Sequence, residues 1–139
     1  MPYPPELTEP MRQELVNLGV RDLNSAEAVD AILRDEKGTL LVFVNSVCGC
    51  AAGSARPGLA LALDHRVKPG AIATVFAGVD TEATARLRSY FADYPPSSPQ
   101  VALFKEGKPV AVIQRHQIEG RSPYEVADQL TGVFDQHCG

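Results

Sequence analysis

Apolar positions along the chain change their spacing several times, and each change marks an element. Leu7, Met11, Leu15 and Leu18 recur at helical intervals after a proline-rich lead, with Gly19 as the stop, so a first helix is predicted there. Ser25 is placed to cap a second helix, with Glu27 and Ala28 in its first turn and Ala28, Val29, Ile32 and Leu33 as its apolar face. "GTLLVFVNS", Gly38 to Ser46, is different: its apolar residues run without a break and include β-branched and aromatic ones. That predicts a strand buried on both faces. "AIATVFAGV", Ala71 to Val79, predicts a second such strand. Between them a helix is expected from about Cys50 to His65, with Pro57 either kinking it or sitting near an early turn. "DTEATARLRSYFADY" predicts another helix, capped by Asp80 or Thr81, with Ala83, Leu87, Tyr90 and Phe91 as its stripe. Beyond the proline-rich break "YPPSSP", "QVALFKEGKPVAVIQ" reads as two strands around Glu106-Gly107-Lys108. "SPYEVADQLTGVFDQH" reads as a last helix with Ser122 as N-cap and Pro123 at its first position.

Once the first helical stretch, residues 1–24, is set aside as an N-terminal helical extension, strands and helices alternate until the final hairpin. Strands separated by helices imply right-handed parallel crossovers. The last pair is joined too tightly for a crossover and must be antiparallel. The expected architecture is α/β: a mixed four-stranded sheet with helices on both faces, the thioredoxin-like arrangement, in one domain over residues 1–139.

Composition narrows the partners. The chain has 139 residues, 45% of them hydrophobic and 22% charged, with 17 acidic against 13 basic side chains and a net charge of −4. The basic residues are scattered, which points away from nucleic acid. No apolar run approaches the roughly 20 residues of a membrane span. The opening "MPYPPELTEPMRQEL" carries prolines and acids where a secretory leader carries basic residues and then an apolar run, so a cytoplasmic protein is expected. In a reducing compartment a close cysteine pair points to catalysis or metal binding ahead of a structural staple.

Two of the three cysteines form such a pair, Cys48-Gly49-Cys50, directly after the first buried strand. A thiol at a strand end and helix start faces unpaired N–H groups and the positive end of the helix dipole, which favour the thiolate. Small neighbours, Ser46, Ala51, Ala52, Gly53 and Ser54, leave the sulfur open. A Cys48–Cys50 bond would close a very small ring, fit the preferred torsions poorly and be labile. Gly49 is the residue best able to take the unusual backbone angle such a ring needs. The pattern therefore points to thiol–disulfide exchange. Three other uses stay open. The cysteines can be small core residues. Cys48, Cys50 and Cys138 with one of His65, His116 or His137 can supply four zinc ligands. A non-catalytic scaffold can bind a partner through Ser46 to Arg56. Cys138 itself is a second resolving thiol, a site of intermolecular pairing or an inert tail residue. Arg56 is either a cation that draws anionic substrate toward Cys48 or an ordinary surface arginine. Arg115 and His116 are either an aid to substrate binding or a solvent-facing pair at a strand end.

The motifs "VNSVCGCAAGSARP" (Val44 to Pro57), "TVFAGVDTEATARLRSYF" (Thr74 to Phe91), "PSSPQVALF" (Pro96 to Phe104), "RHQIEG" (Arg115 to Gly120) and the closing "FDQHC", with "MRQEL" near the start, resemble the bacilliredoxin family of thioredoxin-like bacterial proteins. The resemblance covers nearly the whole chain in order. It implies a thioredoxin-like fold with an N-terminal extension. It implies a thiol–disulfide oxidoreductase, whose substrates are mixed disulfides between protein cysteines and bacillithiol, a low-molecular-weight thiol of some bacteria that carries carboxylates. Some relatives are described as disulfide isomerases or general oxidoreductases. Cys48 would be the attacking nucleophile and Cys50 the resolving thiol. Pro99 would be the cis-proline facing the nucleophile, and Ser98, Pro99 and Gly49 would bind substrate. The co-substrate would be bacillithiol or another small thiol, the partners S-thiolated client proteins, and no tightly bound cofactor or metal is called for.

Overall fold

The computed structural model describes residues 3–138. The elements are α1 (Pro5–Val16), β1 (Arg21–Asp22), α2 (Ala26–Asp35), β2 (Thr39–Asn45), a π-helical turn (Ala51–Ala55), α3 (Arg56–Ala62), β3 (Ala71–Phe76), α4 (Thr81–Ser89), β4 (Gln100–Lys105), β5 (Lys108–Ile113), α5 (Arg115–Ile118) and α6 (Pro123–His137). The sheet order is β1-β3-β2-β4-β5, with β1, β3 and β2 parallel and β4 and β5 antiparallel to their neighbours. No helix among the described residues is long and apolar enough to cross a membrane.

The unbroken apolar run becomes the central strand, and its alternation serves two cores. Leu41 and Phe43 of β2 pack with Val101, Leu103, Leu59, Ala62, Val126, Leu130 and Phe134 under α3 and α6. Leu40, Val42 and Val44 point the other way, toward Val29, Ile32, Ala83 and Leu87 of α2 and α4. A strand covered on both faces has no polar side to show, which is why its sequence does not alternate. The hairpin between β4 and β5 turns through Glu106 and Gly107, both at positive φ (53° and 78°), the two-residue geometry that suits the strand twist. Ser122 and Glu125 cap α6 reciprocally, each side chain taking the other's backbone N–H (3.0 and 3.1 Å).

The structure departs from the sequence expectations at four places. The sheet has five strands, because Arg21 and Asp22 add a parallel edge pairing with Ala73 and Thr74; two residues are too short to carry a period. Residues 1–24 therefore contribute to the sheet as well as a helix. The stripe predicted for the first helix is buried only in part: Leu15 is in the core and Met11 half-buried, but Leu7, and Leu18 just beyond α1, are exposed, while the polar Thr8 and Arg12 face inward. Arg12 explains the reversal. Its guanidinium reaches Asp22 and Asp80 at 2.8 Å each and lies over the Phe76 ring, so an ion-pair cluster docks this helix. Asp80 holds the expected N-cap position of α4, but its carboxylate is spent on Arg12 and makes no capping bond. Finally, the helix after the cysteines is divided. Pro57 has no N–H to return to Gly53, and the turn before it widens so that Arg56 N–H reaches Ala51 O.

Helices α3 and α6 meet closely at Gly58, where an added Cβ would lie 2.6 Å from Val126 Cγ1 and 3.2 Å from the Pro123 carbonyl. Gly58→Ala should gain helix propensity yet destabilise the fold by about 1–3 kcal/mol through overpacking, read as a lower urea midpoint with unchanged slope.

Candidate active site

Strand β2 ends at Asn45, and the chain turns at once into the helical segment. The Ala51 and Ala52 N–H groups return to the Cys48 carbonyl (3.1 and 3.3 Å), so Cys48 stands at the head of the first turn. Ser46 fixes the approach from the strand side, its hydroxyl accepting from Cys48 N–H at 3.2 Å. Both sulfurs are half-buried free thiols, and Sγ of Cys48 lies 2.7 Å from Sγ of Cys50.

The two thiols are unequal. Burial pushes the Cys48 thiol up, but the Cys50 S–H, the Ser46 hydroxyl and the Ala51 and Cys50 N–H groups outweigh it, and the net result lies below the ordinary thiol. Cys50 is pushed up to about 11, first by burial, then by its hydrogen bond to Cys48 and by that neighbour's negative charge; Arg115 pulls it down and Glu119 up. Cys48 is thus the more readily ionised of the pair, with Cys50 placed as its hydrogen-bond donor. Gly49 is exposed, keeps a negative φ, and a Cβ on it would meet nothing within 4 Å. The expected unusual backbone angle is absent, because free thiols close no ring.

Opposite the pair, Val44 of β2 is in register with Gln100 of β4, so Ser98 and Pro99 sit beside the strand end from which the cysteines emerge. The Ser98–Pro99 peptide is cis. A buried polar network holds this loop. Gln114 Oε1 accepts from Ser97 Oγ (2.6 Å) and Gln100 Nε2 (2.8 Å), and Gln114 Nε2 donates to Pro95 O (3.1 Å). Arg88 donates to Ser97 O at 2.7 Å and to Gln100 Oε1 at 3.1 Å.

Arg56 is corrected by the structure. It is neither a surface residue nor a lure for anions: at 3% exposure it lies beneath the cysteine turn. Its Nη1 donates to Asn45 Oδ1 and Ser46 O, and its Nε to the Glu14 carboxylate, all at 2.9 Å. Position in sequence next to the helix start could not reveal that its stem folds inward. The exposed cation at the site is Arg115, whose Nη1 donates to Ser98 O at 3.3 Å and Nη2 to Glu119 Oε2 at 3.1 Å. The four-residue helix α5 that carries it is too short for a periodic signal, though its capping pair, Gln114 and Gln117, is present in the sequence. His116 is exposed beside it.

Cys138 does not join the pair. It ends α6, a 15-residue helix that spans roughly 22 Å. The start of α6 packs on Gly58 near the cysteine turn, whereas its end lies by His65, which is bonded to Asp135. Cys138 packs against the core there. Among the described residues no group of three or more His, Cys, Asp or Glu side chains is arranged to hold a metal ion.

Two outcomes follow from this geometry. Alkylation of Cys48 followed by mass spectrometry across pH should show a midpoint below that of an ordinary thiol. Cys50→Ala should move it upward by removing the S–H donor, and Cys48→Ser should bring the Cys50 midpoint down from about 11. Arg56→Met should leave Ser46 O without its buried side-chain donor and Asn45 Oδ1 with only Ser46 N–H, and cost about 2–4 kcal/mol in chemical denaturation.

The comparisons with known proteins agree with one another. The family model described as "Disulphide isomerase" matches residues 3–138. A bacilliredoxin from Koribacter versatilis is 51% identical over 137 residues, covering 99% of this chain and 94% of its own. One from Shouchella clausii is 49% identical, covering 98% and 94%. Among solved structures, Fasciola hepatica thioredoxin superposes with a TM-score of 0.60 at 21% identity, over 85% of this chain and 99% of its own. A Halobacterium salinarum thioredoxin gives 0.59 at 17% identity, over 86% and 90%. The fold is that of thioredoxin, and the chain belongs to the bacilliredoxin family, a thiol oxidoreductase in general class.

Proposed function

We propose that the protein removes bacillithiol, or a small thiol like it, from mixed disulfides on client proteins, with Cys48 as nucleophile and Cys50 as resolving thiol. The observation that carries this reading is the unequal pair at the head of the helical turn: one sulfur favoured as thiolate, the other protonated and 2.7 Å away. The Cys48 thiolate attacks the small-thiol sulfur, a new S–S bond forms, and the client departs with the electron pair of the old bond and takes a proton from water. Cys48 then carries the small thiol. A second small thiol displaces it, restoring Cys48 and releasing the symmetric disulfide, or Cys50 does so and closes a Cys48–Cys50 bond that an external thiol later reopens. No resident cofactor or metal takes part, because the small thiol supplies the electrons. A cytoplasmic setting fits, since the cycle needs a reducing thiol pool.

The order of events follows from what raises Cys50. Burial persists throughout, but the hydrogen bond to Cys48 and its negative charge both end when the Cys48 sulfur enters a disulfide. Cys50 therefore becomes more acidic at the moment it must attack, while Arg115 still pulls in the same direction. Before that moment it is protonated and does not compete for the substrate. In this reading Ser98 and Pro99, beside the strand end from which the cysteine turn emerges, and exposed Gly49 contact the substrate.

The test is mass spectrometry of the Cys50→Ala variant after incubation with an extract that contains bacillithiol. A single adduct of that thiol on Cys48 is expected, and Cys48→Ser should lose transfer altogether. Client proteins trapped on Cys48 without the small thiol would favour disulfide isomerisation instead, and full transfer by Cys48→Ser would sink the assignment.

A further inference from the structure

Arg115 is bound to the substrate side of the site more tightly than its sequence position suggests. Its own N–H donates to Ser97 Oγ at 3.2 Å, and the residue before it, Gln114, anchors the buried network under the Ser97–Pro99 loop. The α5 cap closes this arrangement, with the Gln117 side chain accepting from Gln114 N–H at 2.9 Å. Any movement of the loop therefore carries the Arg115 backbone with it.

The guanidinium is disposed for a different purpose from that of Arg56. Arg56 turns three of its five donors inward on Glu14, Asn45 and Ser46 and is only 3% exposed. Arg115 spends one N–H on Ser98 O and one on Glu119, leaves its side chain 43% exposed, and has three of its five donors unused. It stands close enough to both cysteines for their charges to act on it. Its hold on Ser98 O also occupies an acceptor that an extended polypeptide would use in pairing along the loop. A polypeptide must displace a charge-assisted hydrogen bond to reach it. A small thiol bearing a carboxylate instead meets a guanidinium already in place, and Arg is the side chain whose fork matches a carboxylate bidentately.

We infer that Arg115 is a specificity-determining residue, which selects disulfides whose small-thiol half carries a carboxylate over uncharged ones. This deepens the function proposed above and rests on it. It places the recognition of the small thiol on the loop side of Cys48, between α5 and the cis-proline turn, and assigns Arg56 no part in it.

Two chromogenic disulfides separate the elements of the claim: dithiobisnitrobenzoate, with a carboxylate on each half, and uncharged dithiodipyridine. With either probe the Cys48 thiolate attacks one sulfur and expels an aromatic thiolate with the electron pair of the broken bond. Cys50, after losing its proton to water, expels the second thiolate and closes Cys48–Cys50. The quantity read is the ratio of second-order rate constants, anionic over neutral, at fixed ionic strength. Arg115→Gln should lower this ratio about tenfold, and Arg115→Lys should lower it less, because a point charge is kept but the fork is lost. Arg121→Gln removes an equal charge from a side chain paired with Glu125 (3.7 Å) and should leave the ratio where it was. An unmoved ratio in Arg115→Gln, or an equal fall in Arg121→Gln, would overturn the assignment. If the wild type releases thiolate from neither probe, the exchange reaction itself is wrong and this inference falls with it.

Discussion

A single buried guanidinium holds the place where strand becomes helix. Arg56 bonds Asn45 Oδ1 and Ser46 O at the end of β2 and the Glu14 carboxylate of α1, so three segments distant in sequence converge on one side chain. Asn45 is itself shared, accepting from Ser46 N–H and donating to the Met11 carbonyl. A planar group with five donors suits such a junction, where a lysine would satisfy fewer acceptors in fixed directions. The cost of burying the charge is offset by these acceptors, since no buried side-chain nitrogen or oxygen among the described residues lacks a partner. The cysteine turn sits directly above. Its position depends on polar bonds below it, because the turn itself is made of small side chains with little to pack.

That foundation lets the two sulfurs differ. Residues two apart at a turn head share nearly the same surroundings, so burial alone would raise both thiols. What separates them is which sulfur the donors face. Ser46 and the N–H groups of Cys50 and Ala51 converge on Cys48 and favour its thiolate, while Cys50 is pushed the other way. The asymmetry is a property of the backbone path and would not survive a turn free to rotate. It also explains why Gly49 can lie in ordinary helical backbone: with the thiols free, nothing in the turn asks for a glycine.

Elements with a strong period or a distinct cap were legible in the sequence. The unbroken run Leu40 to Val44 gave the central strand, Ser25 and Ser122 gave helix starts, and Glu106-Gly107 gave the hairpin. The cysteine pair was legible for the same reason: its chemistry and its place after a buried strand agree. What escaped has a common cause. Beside Leu15 the inward face of α1 carries Thr8 and Arg12, docked through two aspartates, and polar positions read as solvent-exposed until the partners are known. The strand Arg21–Asp22 and the helix Arg115–Ile118 are shorter than any period. The widened turn before Pro57 was half legible, since proline announced a disturbance without its form.

The two arginines show the limit most directly. In sequence each lies close to a site motif, and nothing local separates a buried arginine from an exposed one. Arg56 is followed by Pro57, and its side chain turns under β2 toward three acceptors contributed by α1 and the strand end. Arg115 opens a short helix at the rim, where one carbonyl and one exposed carboxylate are all it meets. Charge near a reactive thiol can act through shape or through field, and burial decides which. A cation buried beneath the turn, with its bonds to the strand end and α1, organises the backbone and is closed off from a substrate. A cation with free donors at an exposed rim, held on the loop beside the cysteine turn, keeps its field available. The division between them follows from the count of acceptors within reach, which only the assembled fold supplies.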